Sequence, residues 1–318
     1  MHMKKTIFAL IICLLFSGCI GFEQQPGKVD YRLGFDGVNV RFNVFPEQDV
    51  YSNETFPVQL EIENKGGYDT ANLKAVLSYQ TGFFSTSIGT PEALINHLNK
   101  DLRTVRGRSE AYPEGDFSVL PIIPFKAGTI FLTDYQKFSF IARACYEYRA
   151  QATLEACIGP RTGYQSCNFQ SLNQGLNLSI GQGSPLAITR VEESIIDLGD
   201  KIKPRFNIIV ENKNTGQVFR NPPQNVGPMC FGRGIGEQVL DRFDLVLNLS
   251  MQYHYDSRLS ENSFTCRPII PKLEGTTANI TCILNDEIES RAAYVTPLVV
   301  ELVYGYTSQD QRELTVRR

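Results

Sequence analysis

Cys145, Cys157, Cys167, Cys230, Cys266 and Cys282 are the side chains of this sequence best placed to do chemistry, and their spacing favours oxidation. A metal centre would want CxxC pairs or histidines close by, and neither occurs, so zinc is set aside and disulfides are expected. Cys266 and Cys282 each end a Thr-containing segment, SFTC and NITC, around a connection bearing Pro and Gly, and are expected to pair. Cys145, Cys157 and Cys167 lie close together, which leaves both 145–157 and 157–167 open as a local bridge and lets one of the three reach Cys230.

Other reactive groups are sparse. Besides His2, the chain has only His97, beside the apolar stripe of a helix-like segment, and His254, on the polar side of an alternating strand; both read as surface or packing residues. HExxH and GxSxG are absent. The run Gly227–Gly236 lacks GxGxxG spacing and a Walker lysine, and reads as a loop. Asp197, Asp200, Asp241, Asp244, Asp286, Glu287 and Glu289 make no EF-hand loop and read as solvated carboxylates. No catalytic, cofactor-binding or metal-ligating residue is therefore nominated. Tyr146, Tyr148, Tyr304 and Tyr306 sit inside alternating strands, where packing accounts for them.

The N-terminus reads as an address. Lys4 and Lys5 precede a ten-residue apolar stretch, Ile7–Phe16, that is too short to span a bilayer, and the small residues Ser17 and Gly18 lead to Cys19. Phe16-Ser17-Gly18-Cys19 resembles the lipobox of prokaryotic lipoproteins, with Phe where Leu is usual. That resemblance implies cleavage after residue 18 and a diacylglycerol on Cys19, the expected link to a membrane; two acyl chains hold a protein stably on a lipid surface. A net charge of −3 with scattered Lys and Arg argues against nucleic acid as a partner. Four sequons, at Asn53, Asn177, Asn248 and Asn279, are possible N-glycosylation sites.

The elements that must carry these residues are strands. Val38–Val44, Val58–Glu63 and Leu247–Tyr255 alternate apolar and polar residues, and Phe138, Phe140, Ala142, Ala144, Tyr146 and Tyr148 extend the pattern with Cys145 on the opposite, more polar side. One helix is expected as an insertion: Thr90 caps it, Pro91 opens it, and Leu94, Ile95, Leu98 and Leu102 line one side. The Pro-bearing stretch from Gly107 to Gly128 reads as a surface excursion, and residues 90–128 are the part least needed by a sandwich and the first choice for a binding surface.

Two halves flank a Gly- and Ser-rich segment. Glu63-Asn64-Lys65 in one matches Glu211-Asn212-Lys213 in the other, and Tyr146-x-Tyr148 matches Tyr304-x-Tyr306, as in a duplicated domain. These motifs resemble immunoglobulin-like, CARDB-type adhesion modules, and the whole chain resembles exported archaeal and bacterial lipoproteins carrying them. The resemblance implies an all-β fold of two tandem immunoglobulin-like antiparallel β-sandwich domains. Residues 1–18 would be signal peptide, 19–34 a lipid-anchored tether, 35–173 the first domain, 174–185 a linker and 186–318 the second domain. It further implies closing hairpins that turn near Gln309 and Gln151, which would set Cys145 opposite Cys157 and favour that bridge. The expected function is non-catalytic recognition, adhesion or envelope assembly at the outer face of a cell membrane, towards a surface protein or polysaccharide. Solute or polysaccharide binding is the alternative, and a secreted hydrolase the third possibility.

Overall fold

A computed structural model describes residues 30–159, 178–220, 223–232, 236–249, 264–289 and 293–318. The signal segment, Cys13, Cys19, Cys167, Asn177, His254 and the stretch 250–263 lie outside the described residues.

Alternation becomes burial. In β1 (Val38–Val44), Val38, Val40 and Phe42 point into the core while Asn39, Arg41 and Asn43 face water. A first sheet joins β1, β3 (Thr55–Asn64), β7 (Ile123–Lys126) and β5 (Ser85–Thr86), with β6 (Asp116–Val119) also on β3. A second joins β13 (Phe264–Arg267), β14 (Thr277–Leu284), β10 (Lys201–Asn212) and β15 (Ile288–Glu289), with β9 (Leu186–Asp197) on β10. The third is built on β8 (Tyr135–Ile158) and β16 (Tyr294–Arg317), flanked by β4 (Ala71–Ser78), β11 (Val218–Phe219), β12 (Asp244–Leu249) and β2 (Val50–Tyr51). Among the described residues, every strand pairing is antiparallel except β2 with β16. The fold is the expected all-β, antiparallel sandwich.

The arrangement of the halves differs from beads on a linker. β8 and β16, each 24 residues long, pair along their whole length from Tyr294↔Ile158 to Arg317↔Tyr135. Residues Tyr31–Arg318 consequently form one compact unit. The proposed hairpin turns do not exist: Gln151 pairs with Glu301 and Gln309 with Arg143, all in mid-strand. Without Pro or Gly between Tyr135 and Ile158, nothing stops β8 where a hairpin would need it to turn.

The described part of the expected linker is packed rather than free. Gln182 and Ser184 are buried, Gly67 N–H donates to Gly183 O at 2.7 Å, and Gly183 N–H donates to Gly34 O at 2.8 Å. Gly183 has φ +65°, and a Cβ there would lie 2.7 Å from Gly67 N, so the close approach needs glycine.

The helix, α1 (Pro91–Asn99), starts as expected, with Thr90 Oγ1 accepting from Ala93 N at 3.3 Å. It is not a detachable insertion. Leu94 and Leu98 enter the main core, and Asn99 accepts from Ala75 N at 2.8 Å and donates to Ala75 O at 2.7 Å, occupying backbone groups at the edge of β4. The expected excursion beyond it supplies β6 and β7, and Phe125 is fully buried against Phe56 and Phe140. Residues 90–128 are thus part of the sandwich, because β3 would otherwise lose its pairing on that side.

Candidate functional site

The repeated sequence motifs meet at the middle of the shared sheet. Tyr148 pairs with Tyr304 and Tyr146 with Tyr306, so β8 and β16 cross like arms about an approximate two-fold axis. The four rings pack edge-on or tilted at 5.4–6.4 Å between centroids.

Each hydroxyl reaches backbone or side-chain partners in the sheet it faces. Tyr146 Oη accepts from Val38 N at 3.0 Å, and Tyr304 Oη accepts from Leu186 N at 3.3 Å and bonds Ser184 Oγ. Tyr148 Oη accepts from Tyr68 N at 3.2 Å and donates to Asn64 Oδ1 at 3.1 Å. Tyr306 Oη accepts from Gly216 N and donates to Asn212 Oδ1, both at 3.0 Å. Asn64 Nδ2 donates to Tyr68 O and Asn212 Nδ2 to Gly216 O, each at 2.8 Å. The Glu-Asn-Lys and Tyr-x-Tyr repeats are therefore one clamp used twice. Burial pushes all four phenol pKa values above the ordinary range, so the groups stay protonated and act as fixed hydrogen-bonding pegs.

The cysteines divide between expectation and correction. Cys266 and Cys282 are directly paired across β13 and β14 and joined as a disulfide. Cys145 bonds Cys230 rather than Cys157. Cys145 and Cys157 share the unbroken strand β8, which at ~3.3 Å per residue separates them far beyond disulfide reach. Cys157 is also disulfide-bonded. The run Gly227–Gly236, read as a loop, contributes a short helix, α2 (Val226–Cys230), which packs on β4 and β8. The Cys145–Cys230 bridge ties α2 down within a second apolar cluster containing Val76, Phe219 and Val226. This cover is why Cys145, expected on a polar face, is fully buried.

Of the candidate surface residues, His97 is half-buried in the last turn of α1. Asp244 pairs with Arg220 at 3.0 Å and Glu287 with Lys201 at 3.0 Å. Among the described residues, no group of three or more His, Cys, Asp or Glu side chains could hold a metal ion. Asn53 is exposed in a turn at φ +66°, and Asn248 and Asn279 are exposed on β12 and β14.

One surface was not foreseen. On the solvent side of the second sheet, Lys203 and Arg205 of β10, Thr281 and Ile283 of β14, and Thr265 and Arg267 of β13 stand in adjacent rows. A groove of about 400 Å³ opens there, lined by Lys203, Thr265, Arg267, Thr281, Ile283 and Asn285. Lys203 and Arg267 form no ion pair among the described residues, and Arg205 Nε donates to Ser194 Oγ at 2.8 Å. The cations come from strands about sixty residues apart, which hides them from any linear motif. The available signal was the one-sided row Lys201, Lys203, Arg205, Asn207, alternating with the inward Ile202, Pro204, Phe206 and Ile208.

No protein-family model matches the chain, and no curated protein matches it. Among solved structures it is similar to one described as the CupB6 tip adhesin from Pseudomonas aeruginosa, with 9% sequence identity and a TM-score of 0.17, over 89% of this chain and 99% of that one. A likeness this slight carries no argument about function.

Proposed function

We propose that this chain is an exported lipoprotein, held to the outer face of a membrane through Cys19, whose sandwich serves recognition, adhesion or envelope assembly without catalysis. The observation that carries the reading is the shared β8–β16 ribbon, stapled on one face by Cys145–Cys230 and pegged on the other by four tyrosines. Disulfides at Cys145–Cys230 and Cys266–Cys282 support folding in an oxidising compartment outside the cytoplasm. The buried tyrosine hydroxyls support a structural rather than a chemical use of the most concentrated polar cluster, since each is engaged in holding a neighbouring sheet. A rigid body of this kind presents its faces to a partner with little ordering cost on binding.

The test is intact mass of the protein extracted from its membrane with detergent, with and without reduction and alkylation, together with protease shaving of whole cells. A mature chain beginning at Cys19 with diacylglycerol mass, no free thiol before reduction, and release of the body by protease is the expected result. A chain retaining residues 1–18, or free thiols in the body, overturns the reading.

A further inference from the structure

We propose that the solvent face of β10, β14 and β13 is a binding site for an acidic polysaccharide whose carboxylates are spaced along the chain, a polyuronate in chemical class. The proposal rests on the surface-recognition reading above and gives it a ligand.

The argument begins with charge. The chain as a whole carries −3, yet on this face Lys203, Arg205 and Arg267 lie on three adjacent rows. Of the carboxylates beside the face, Glu192 pairs with Arg190, and Glu287 pairs with Lys201 while also attracting Lys203, which leaves Arg205 and Arg267 as the cations with no carboxylate paired to them among the described residues. Arg267 shares a row with Thr281 and Asn207, so with strands ~4.8 Å apart and ~3.4 Å per residue along each, its backbone lies ~12 Å from that of Arg205 and ~17 Å from that of Lys203. Those spans suit carboxylates repeated along a polymer better than a single small anion.

The remaining lining is chemically mixed. Thr281 Oγ1 donates to Asn207 Oδ1 at 3.0 Å, and Thr265 Oγ1 donates to Asn285 Oδ1 at 2.6 Å. With their protons committed, both hydroxyl oxygens remain acceptors for sugar hydroxyls. Ile283, directly opposite Thr265 and two residues from Thr281 on β14, gives an apolar floor for a sugar ring. Hydroxyl acceptors interleaved with separated cations fit a ligand bearing both carboxylates and hydroxyls. Because the cations are solvent-facing, binding should weaken with salt.

The experiment uses the mature lipoprotein in detergent, with immobilised polygalacturonate as the probe, dextran as the neutral polymer and double-stranded DNA as the charge-only polymer. Lys203→Glu with Arg267→Glu is compared with Lys100→Glu plus Lys126→Glu, exposed residues elsewhere that give the same change in net charge. Polygalacturonate binding is expected, and the groove variant should weaken it by about tenfold or more, the equivalent of losing two charge-assisted contacts, with the control nearly unchanged. Dextran should not bind, and DNA should bind more weakly than the polyuronate. Unchanged melting temperature and near-ultraviolet circular dichroism exclude misfolding as the cause; if the double variant is destabilised, Lys203→Gln and Arg267→Gln singly serve in its place. Absence of polyuronate binding, equal weakening by both double variants, or DNA bound as tightly and lost on the same variant overturns the proposal. Failure here with Cys19 lipidated leaves the anchored-lipoprotein reading standing, and binding by a chain without the lipid removes the anchor alone.

Discussion

The paired clamps allow one substitution to be made twice in the same local geometry at two depths. Asn64 is fully buried and makes four hydrogen bonds: Nδ2 donates to Tyr68 O at 2.8 Å and Val105 O at 3.0 Å, and Oδ1 accepts from Gly66 N at 3.0 Å and Tyr148 Oη at 3.1 Å. Asn64→Ala leaves two buried donors, the Gly66 N–H and the Tyr148 hydroxyl, without an acceptor. Val105 O is less affected because it still accepts from Thr70 N at 3.1 Å. At about 1–3 kcal/mol for each orphaned buried donor, the expected loss is roughly 3–4 kcal/mol. Asn212, its counterpart, is only half-buried, and its Oδ1 accepts from Tyr306 Oη at 3.0 Å and Asn214 N at 3.3 Å. Water can replace part of that set, so Asn212→Ala should cost only about 1–2 kcal/mol. Urea unfolding of both variants with disulfides intact, followed by tyrosine fluorescence and far-ultraviolet circular dichroism, measures the difference. Equal losses, or a larger loss at Asn212, would refute the view that burial sets the worth of the clamp.

Three further outcomes are expected. Glu193 on β9 accepts from Cys157 N at 2.8 Å while its Oε1 is buried without a hydrogen-bond partner, and desolvation pushes its pKa from 4.5 up to about 7. The folded state therefore holds this proton more tightly than the unfolded state. The associated stability is fully present below about pH 4.5 and falls as pH rises towards 7, by about 2–3 kcal/mol, whereas Glu193→Gln should remove that slope and exceed the parent in stability at pH 8. Replacing both members of Cys145–Cys230, 85 residues apart, should cost about 4–5 kcal/mol against about 3 kcal/mol for Cys266–Cys282, 16 residues apart, as read by denaturant midpoints; the reverse order would contradict the chain-entropy estimate. A Cβ on Gly305 would lie 2.1 Å from the Phe219 ring, so Gly305→Ala should destabilise by about 3 kcal/mol or more, and a melting temperature within a degree of the parent would show that Phe219 can move aside.

Much of the local structure was legible because its causes are local. The alternation in Val38–Val44 and Val58–Glu63 specifies which side chains turn inward, and both became strands with Val38, Val40, Phe42, Val58, Leu60 and Ile62 buried. Thr90 and Pro91 announced the start of α1, and the SFTC and NITC segments announced the Cys266–Cys282 bridge. The matched Glu-Asn-Lys and Tyr-x-Tyr motifs were visible as a repeat, and the structure gives them a shared purpose as a hydrogen-bonded clamp.

What the sequence by itself determined was which residues form strands and which faces they bury; what only the tertiary structure decided was which strand each one meets. Alternation sets a strand's inner face but carries no name for its partner, because backbone N–H and C=O groups pair equally well with any strand in register. Turning β8 back at Gln151 and running it straight against β16 satisfy the same periodic pattern. The straight run brings Tyr148 to Tyr304 and joins the halves. The same choice separated Cys145 from Cys157 along one strand, exposed Cys145 to Cys230 on α2, and turned residues 90–128 from an appendage into part of the core. In the second sheet, pairing of β14 with both β10 and β13 gathered Lys203, Arg205 and Arg267 on one face from residues distant in sequence.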